Sequence, residues 1–152
     1  MRVTIAAIGR DRKSVHRALF DHFAQRLRWP VTLREIEARG KLSGDALKHE
    51  ESERLLAVIP DEAWVIALDE TGKTLSSRAF AGWISNAMDD GASHIALVIG
   101  GADGLDTRIL ERARLTLSLG RLTWPHLLVR GLLAEQLYRA QQIISGHPYH
   151  RD

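Results

Sequence analysis

The chain of 152 residues reads as an α/β protein, a parallel sheet with helices on both faces, in a single domain spanning residues 1–152. Three observations predict this. Short β-branched runs alternate with helix-periodic segments along the whole length, the pattern of strands joined by helical crossovers. The run HIALVIGG, His94 to Gly101, is apolar almost throughout, as a strand covered on both faces has to be. A chain of this length buries about two thirds of its unfolded surface and so folds without cross-links. It has no cysteine, which excludes disulfides, thiolate zinc sites and cysteine nucleophiles together.

The elements follow in order. RVTIAAIG, from Arg2, is the first strand, and Val15, Ala18, Leu19 and Phe23 then recur at helical spacing as far as Leu27. VTLREIEA is a second strand and DALKHEESERLLAVI a helix with a polar face. AWVIALD is a third strand, which the turn-like ETGK should end. Phe80, Trp83, Ile84, Ala87 and Met88 line one side of a helix that stops near DDG. HIALVIGG is the fourth strand. A helix from about Thr107 to Thr116, a short strand around Leu117 to Leu119, and a loop from Gly120 to Pro125 lead into a last helix from His126 to Ile144. The basic connection EARGKLSGD is the candidate for a mobile segment, and a plain surface connection accounts for it equally well.

The last helix carries apolar residues around most of its circumference: Leu127, Leu128, Leu132, Leu133, Ala134, Leu137, Tyr138, Ala140, Ile143 and Ile144. Such a helix is buried on many sides, and in a small chain a second copy packed about a two-fold axis is the expected cover. Within it, Arg130 and Glu135 are expected to make an intrahelical or interface ion pair.

The formal charge is +2, but residues 1–50 hold 11 basic and 6 acidic side chains against 3 and 8 in residues 51–100. A basic N-terminal third suits a phosphate backbone and equally suits an ordinary solvated surface. The N-terminal apolar run is too short for a signal peptide and no stretch reaches membrane-spanning length, so a cytoplasmic protein is expected.

LVIGGADGLD places Gly100, Gly101 and Gly104 between a strand and a helix, where backbone can approach a ligand. A plain tight turn accounts for the same glycines, since their spacing is neither the dinucleotide fingerprint nor a Walker loop. No G-x-S-x-G elbow occurs. His147 with His150 lacks the carboxylate of a zinc protease, and His16 with His22 do not share a helical face, so no metal is expected. The ending GHPYHRD gathers a proline, an aromatic ring, two imidazoles and a guanidinium. Tyr149 suits stacking on a base, and Arg151 suits a phosphate or the negative charge of a reacting ring.

Taken together, LVIGGADGLD, LSLGRLTWPHLLVRGLLAEQLYRA and HPYHRD closely resemble the ribosomal large subunit methyltransferase H family, small members of the SPOUT class, over essentially the whole chain. The resemblance implies a C-terminal part tied in a trefoil knot, and a homodimer. It also implies S-adenosylmethionine as cofactor and methylation of ring nitrogen 3 of a pseudouridine in the 23S rRNA of the assembled ribosome. Carried over by position, the cofactor site comprises Leu68, Gly101, Gly120, Arg121, Leu122, Thr123, Trp124 and Pro125, with Leu68 and Leu122 enclosing the adenine. Trp124 stands where the family usually has leucine, Ala102 where proline is common and Gly120 where serine is frequent. Tyr149, His150 and Arg151 of one protomer are expected to complete the other protomer's site. His126 and His150 are both candidate proton acceptors. Two other readings share many of these features: a SPOUT enzyme acting on a different RNA, and a non-catalytic ribosome-binding factor.

Overall fold

A computed structural model describes residues 1–37 and 41–151. The elements in chain order are β1 (Arg2–Ile8), α1 (Val15–Ala24), β2 (Val31–Ile36), α2 (Gly44–Ala57), β3 (Trp64–Thr74), α3 (Ser77–Asp89), β4 (His94–Ile99), α4 (Thr107–Arg112), β5 (Leu115–Ser118) and α5 (His126–Ile144). The five strands form one sheet in the order β2-β1-β4-β3-β5, every neighbouring pair parallel. Arg39 and Gly40, at the centre of the connection that is the candidate for a mobile segment, lie outside the described residues.

Alternation along the strands divides the core. Val3, Ile5, Ile66, Ile95, Leu97 and Leu117 face one way and pack with Phe20 of α1, Ile84 of α3 and Leu133 and Leu137 of α5. Ala6, Ile8, Val65, Ala67, Ala96 and Val98 face the other way, against Leu55 of α2 and Ile109 of α4. All six residues of β4 are buried, as its unbroken apolar run requires.

Three boundaries differ from expectation. ETGK does turn, with Asp69 Oδ1 accepting the Thr71 N–H at 2.9 Å, but β3 then resumes. Leu68 and Lys73 both pair with Leu117 of β5, so residues 69–72 form a bulge inside the strand. Gly72 is required there, because a Cβ would meet the Thr116 carbonyl at 2.7 Å. The helix expected to reach Thr116 stops at Arg112. The Arg114 N–H bonds the Val65 carbonyl at 2.9 Å, and Leu115 pairs with Ile66. Sheet pairing that buries Leu115 and Leu117 outweighs the helical preference of Ala113, Arg114 and Leu115.

The cover expected from a second copy is largely supplied within the chain. α5 lies against α1 and α3 and buries Val129, Leu133, Ala134, Leu137, Tyr138 and Ala140. Gly131 permits the approach of α1, since a Cβ there would meet Leu19 Cδ2 at 2.7 Å. The apolar circumference alone therefore does not demand a partner.

Arg130 and Glu135 are not each other's partners. Arg130 is 2% exposed; its guanidinium holds Glu35 of β2 at 2.6 Å and donates to the Ile8 and Gly9 carbonyls, each at 2.8 Å. One side chain thus ties α5 to β2 and to the end of β1. Glu135 pairs within the helix to Arg139, four residues on, at 2.5 Å.

Arg130→Ala leaves Glu35 with only the longer Arg17 ion pair at 3.6 Å and removes the guanidinium from two strand-end carbonyls. It should cost about 3–5 kcal/mol of folding stability in denaturant titration, and a loss under 1 kcal/mol would contradict the clamp. His94, 6% exposed, bonds Thr4 through its ring Nε2 at 2.9 Å, and burial holds its pKa below the ordinary imidazole value. Protons then bind the unfolded chain first. Stability from this group should be full above about pH 6.5 and fall as pH drops below it, a slope that His94→Gln flattens in melts taken at several pH values.

Candidate functional site

In a parallel sheet all strands end on the same edge, so the connections that follow them meet there. Leu68 pairs with Ile99 of β4 on one side and with Leu117 of β5 on the other. Three segments therefore emerge side by side: the bulge after Leu68, the Gly100–Gly104 turn after β4, and residues 119–125 after β5. The end of β1 joins them, since Ala7 pairs with Ile99. The sequence-predicted residues Leu68, Gly101 and Gly120 to Pro125 thus lie along one edge.

The turn after β4 is closed by a Gly101–Gly104 bridge, with the Gly104 N–H on the Gly101 carbonyl at 3.1 Å. A Cβ on Gly100 would strike the Gly104 carbonyl at 2.7 Å, so that glycine is dictated by close backbone packing. Asp106 caps α4 by accepting the Arg108 N–H at 3.0 Å. Ser52 Oγ of α2 accepts the Asp106 N–H at 3.1 Å and anchors the turn from behind.

In the loop after β5, Gly120 has φ +103°, and Ser118 Oγ bonds both its N–H and its carbonyl, each at 3.2 Å. Arg121 and Thr123 are exposed. Leu122 is 73% and Trp124 38% exposed, two large apolar groups that the single chain leaves open; the Trp124 ring N–H reaches the Leu119 carbonyl at 3.4 Å. Pro125 stands immediately before the helix as its cap residue, and its carbonyl accepts from Leu128 and Val129 at 2.9 and 3.1 Å.

His126 opens α5 beside the end of β1: a Cβ on Gly9 would fall 2.9 Å from its Nε2. Burial first and Arg130 second lower its pKa, so the ring is neutral and able to take a proton near pH 7. The carboxyl-terminal residues fold back on α5. The Tyr149 ring meets Tyr138 edge-on at 4.8 Å, its hydroxyl donates to Glu135 at 3.1 Å, and His150 Nδ1 lies 3.3 Å from Arg139. Burial and Glu135 raise the Tyr149 pKa, keeping it a neutral phenol. Arg151 is exposed.

A hollow of about 290 Å³ does not coincide with the expected cofactor residues: of them it takes only Trp124, with Ser77, Phe80, Leu119, Leu132 and Glu135 among its walls. It joins the loop after β5 to the Glu135 that holds Tyr149. Two acids were not read as site residues from the sequence: Glu135 in this wall, taken there for the partner of Arg130, and Glu51 of α2. Glu51 is 6% exposed, and a Cβ on Gly101 would sit 2.6 Å from its Oε2. The signal was present in the spacing, since Glu51 stands one turn before the buried Leu55. Among the described residues, no group of three or more histidines and carboxylates is placed to hold a metal ion, and no helix is long and apolar enough to cross a membrane.

Gly120→Ala should destabilise by about 1–2 kcal/mol in equilibrium unfolding, from backbone strain alone, because no atom lies within 4 Å of the added methyl. An unchanged midpoint would refute that origin.

A model of the family described as predicted SPOUT methyltransferase matches residues 1–150. The chain is 52% identical over 151 residues to a protein of Rhodospirillum centenum named ribosomal RNA large subunit methyltransferase H, covering 99% of both. It is 48% identical, with the same coverage, to the protein of that name from Paramagnetospirillum magneticum. Among solved structures, a probable methylase family protein from Haemophilus influenzae Rd KW20 matches with a TM-score of 0.55 and 13% identity, over 99% of this chain and 70% of that one. That likeness speaks to the fold, and the parallel sheet covered on both faces is consistent with the knotted SPOUT architecture.

Proposed function

The chain belongs to the ribosomal RNA large subunit methyltransferase H family of SPOUT methyltransferases, and on that premise we propose that it methylates ring nitrogen 3 of a pseudouridine in 23S rRNA, on the assembled ribosome in the cytoplasm. The observation that carries this reading is the convergence of Leu68, the Gly100–Gly104 turn and the loop after β5 on one sheet edge. S-adenosylmethionine, when bound, supplies a methyl group on a sulfonium, ready for displacement. The residues present fit that donor. Leu68, Leu122 and Trp124 offer apolar surface for the adenine, and the glycine-rich turn leaves backbone groups for polar atoms.

What remains for the chain is to place the base and manage one proton. The imide N–H of pseudouridine has to ionise before its nitrogen attacks, and a neighbouring cation favours that anion. Arg151 is the residue for this task, with Tyr149 positioning the base. Neutral His126 at the sheet edge and His150 in the tail are the two proton acceptors within the candidate set.

The tail acts across a homodimer in this reading. Tyr149 bonds Glu135, nine residues along α5 from His126, a helical distance of about 14 Å. In its own chain it is held on α5, across the hollow that Trp124 and Glu135 share. The same tail meets the loop of a second copy if the two α5 helices run oppositely, and the open Leu122 and Trp124 are then covered by the partner. Ribosome binding rests on the basic N-terminal residues and should weaken with added salt.

The test is methyl transfer to ribosomes lacking the modification, with the modified base located afterwards. Pseudouridine methylated at nitrogen 3 supports the proposal, whereas preference for free tRNA or naked rRNA favours another SPOUT target. Arg151→Ala should lower kcat by about a hundredfold or more while donor affinity, measured by calorimetry, stays within about twofold. Equal losses in both would remove Arg151 from the chemistry.

A further inference from the structure

Glu51 is a buried acid without a partner. It lies in α2 and is 6% exposed, yet among the described residues its oxygens make no hydrogen bond and no ion pair. Its neighbours on the helix are committed: Ser52 Oγ holds the Asp106 N–H, and Arg54 pairs with Glu50. Arg108 of α4, the cation on the adjoining helix, is held by Asp106 and Glu53. An unpaired carboxylate in such a place is destabilising unless something else answers its charge.

The position says what that is. Both oxygens occupy the space beside Gly101 that a side chain would need, since an added Cβ would lie 2.6 and 3.0 Å from them, and Gly101 belongs to the turn assigned above to the methyl donor. The charges acting on Glu51 are Asp103, from the same turn, and Glu50, from its own helix. Burial and these two anions raise its pKa. Glu51 and Asp103 at one glycine turn create a field that repels an anion and attracts a cation. A neutral hydroxyl would satisfy a lone pair but leave the charge uncompensated.

We propose that Glu51 is a donor-binding residue whose carboxylate receives the ammonium group at the amino-acid end of the methyl donor, beside Gly101. This rests on the donor site proposed above and adds to it a carboxylate on α2, the helix on the opposite face of the sheet from α5. In the free protein the acid is a destabilising element; binding of the cation relieves it. Affinity for the donor and stability without it should therefore move in opposite directions when the charge is removed.

The experiment uses the full chain, calorimetry and two probes: S-adenosylhomocysteine, which has the ammonium group, and methylthioadenosine, which lacks the amino-acid end. Glu51→Gln should weaken S-adenosylhomocysteine by about tenfold or more, the effect of losing a charged hydrogen bond, and leave methylthioadenosine within about twofold. Its melting temperature at pH 7 without ligand should equal or exceed that of the wild type, because a group with a raised pKa in the fold loses stability as pH rises through it. Wild-type affinity for S-adenosylhomocysteine should fall as pH is lowered and Glu51 takes up a proton, and the variant should lack that dependence. Should Glu51→Gln not fold, Glu51→Asp, which withdraws the charge by one methylene, should show the same selective loss. Equal weakening of both probes would move Glu51 to the ribose and overturn the ammonium assignment. Unchanged affinities with a lowered melting temperature would make it structural and overturn the proposal. Wild-type protein that binds neither probe would instead sink the donor site itself.

Discussion

β3 pairs in parallel with β4 and β5 at once, and the site depends on that constraint more than on any single side chain. Because Leu68 is in register with Ile99 and Leu117, the bulge after Leu68 and the connections that follow β4 and β5 must lie side by side. Pairing fixes register to a single residue, since a slip by one would turn Ile66 out of one core layer and Ala67 into it. The apolar alternation that builds two core layers is thus also what aligns the loops.

The loops are then stiffened from both faces of the sheet. On one side Arg130 draws the start of α5 onto the ends of β1 and β2, which sets His126 beside Gly9. On the other, α2 fixes the Gly100–Gly104 turn through Ser52 and Asp106. Buried polar groups are costly, and each of these sits at the edge where connections must hold a shape without regular hydrogen bonding. The contrast between the two buried charges is informative. Arg130 is answered by Glu35 and two carbonyls, whereas Glu51 has no such answer among the described residues.

The open apolar groups belong to the same economy of placement. Leu122 and Trp124 lie on a loop bent at Gly120 and held by Ser118, so they remain exposed although the nearby core is closely packed. A tail folded on α5 by Tyr138, Glu135 and Arg139 is ordered before any partner arrives. Ordering in advance reduces the entropy lost when such a segment meets another surface.

Periodicity and residue type settled much of the protein in advance. The ten elements, the two-faced burial of HIALVIGG and the resemblance carried by the glycine turn, the T-W-P-H loop and the HPYHRD ending are all local patterns, legible one segment at a time. What the local patterns missed has a common cause. ETGK is a sound turn, and only β5 alongside decides that the strand resumes at Lys73. Leu115 and Thr116 continue a helical spacing until Val65 and Ile66 offer pairing. Arg130 and Glu135 look like partners in one helix, but Glu35 is far off in sequence and near in space. Glu51 reads as one acid in a polar stretch, and its burial against Gly101 exists only once α2 is laid on the sheet. Sequence determines what a segment prefers; contacts between distant segments decide which preference is kept, because burial and pairing energies exceed the local propensities that compete with them.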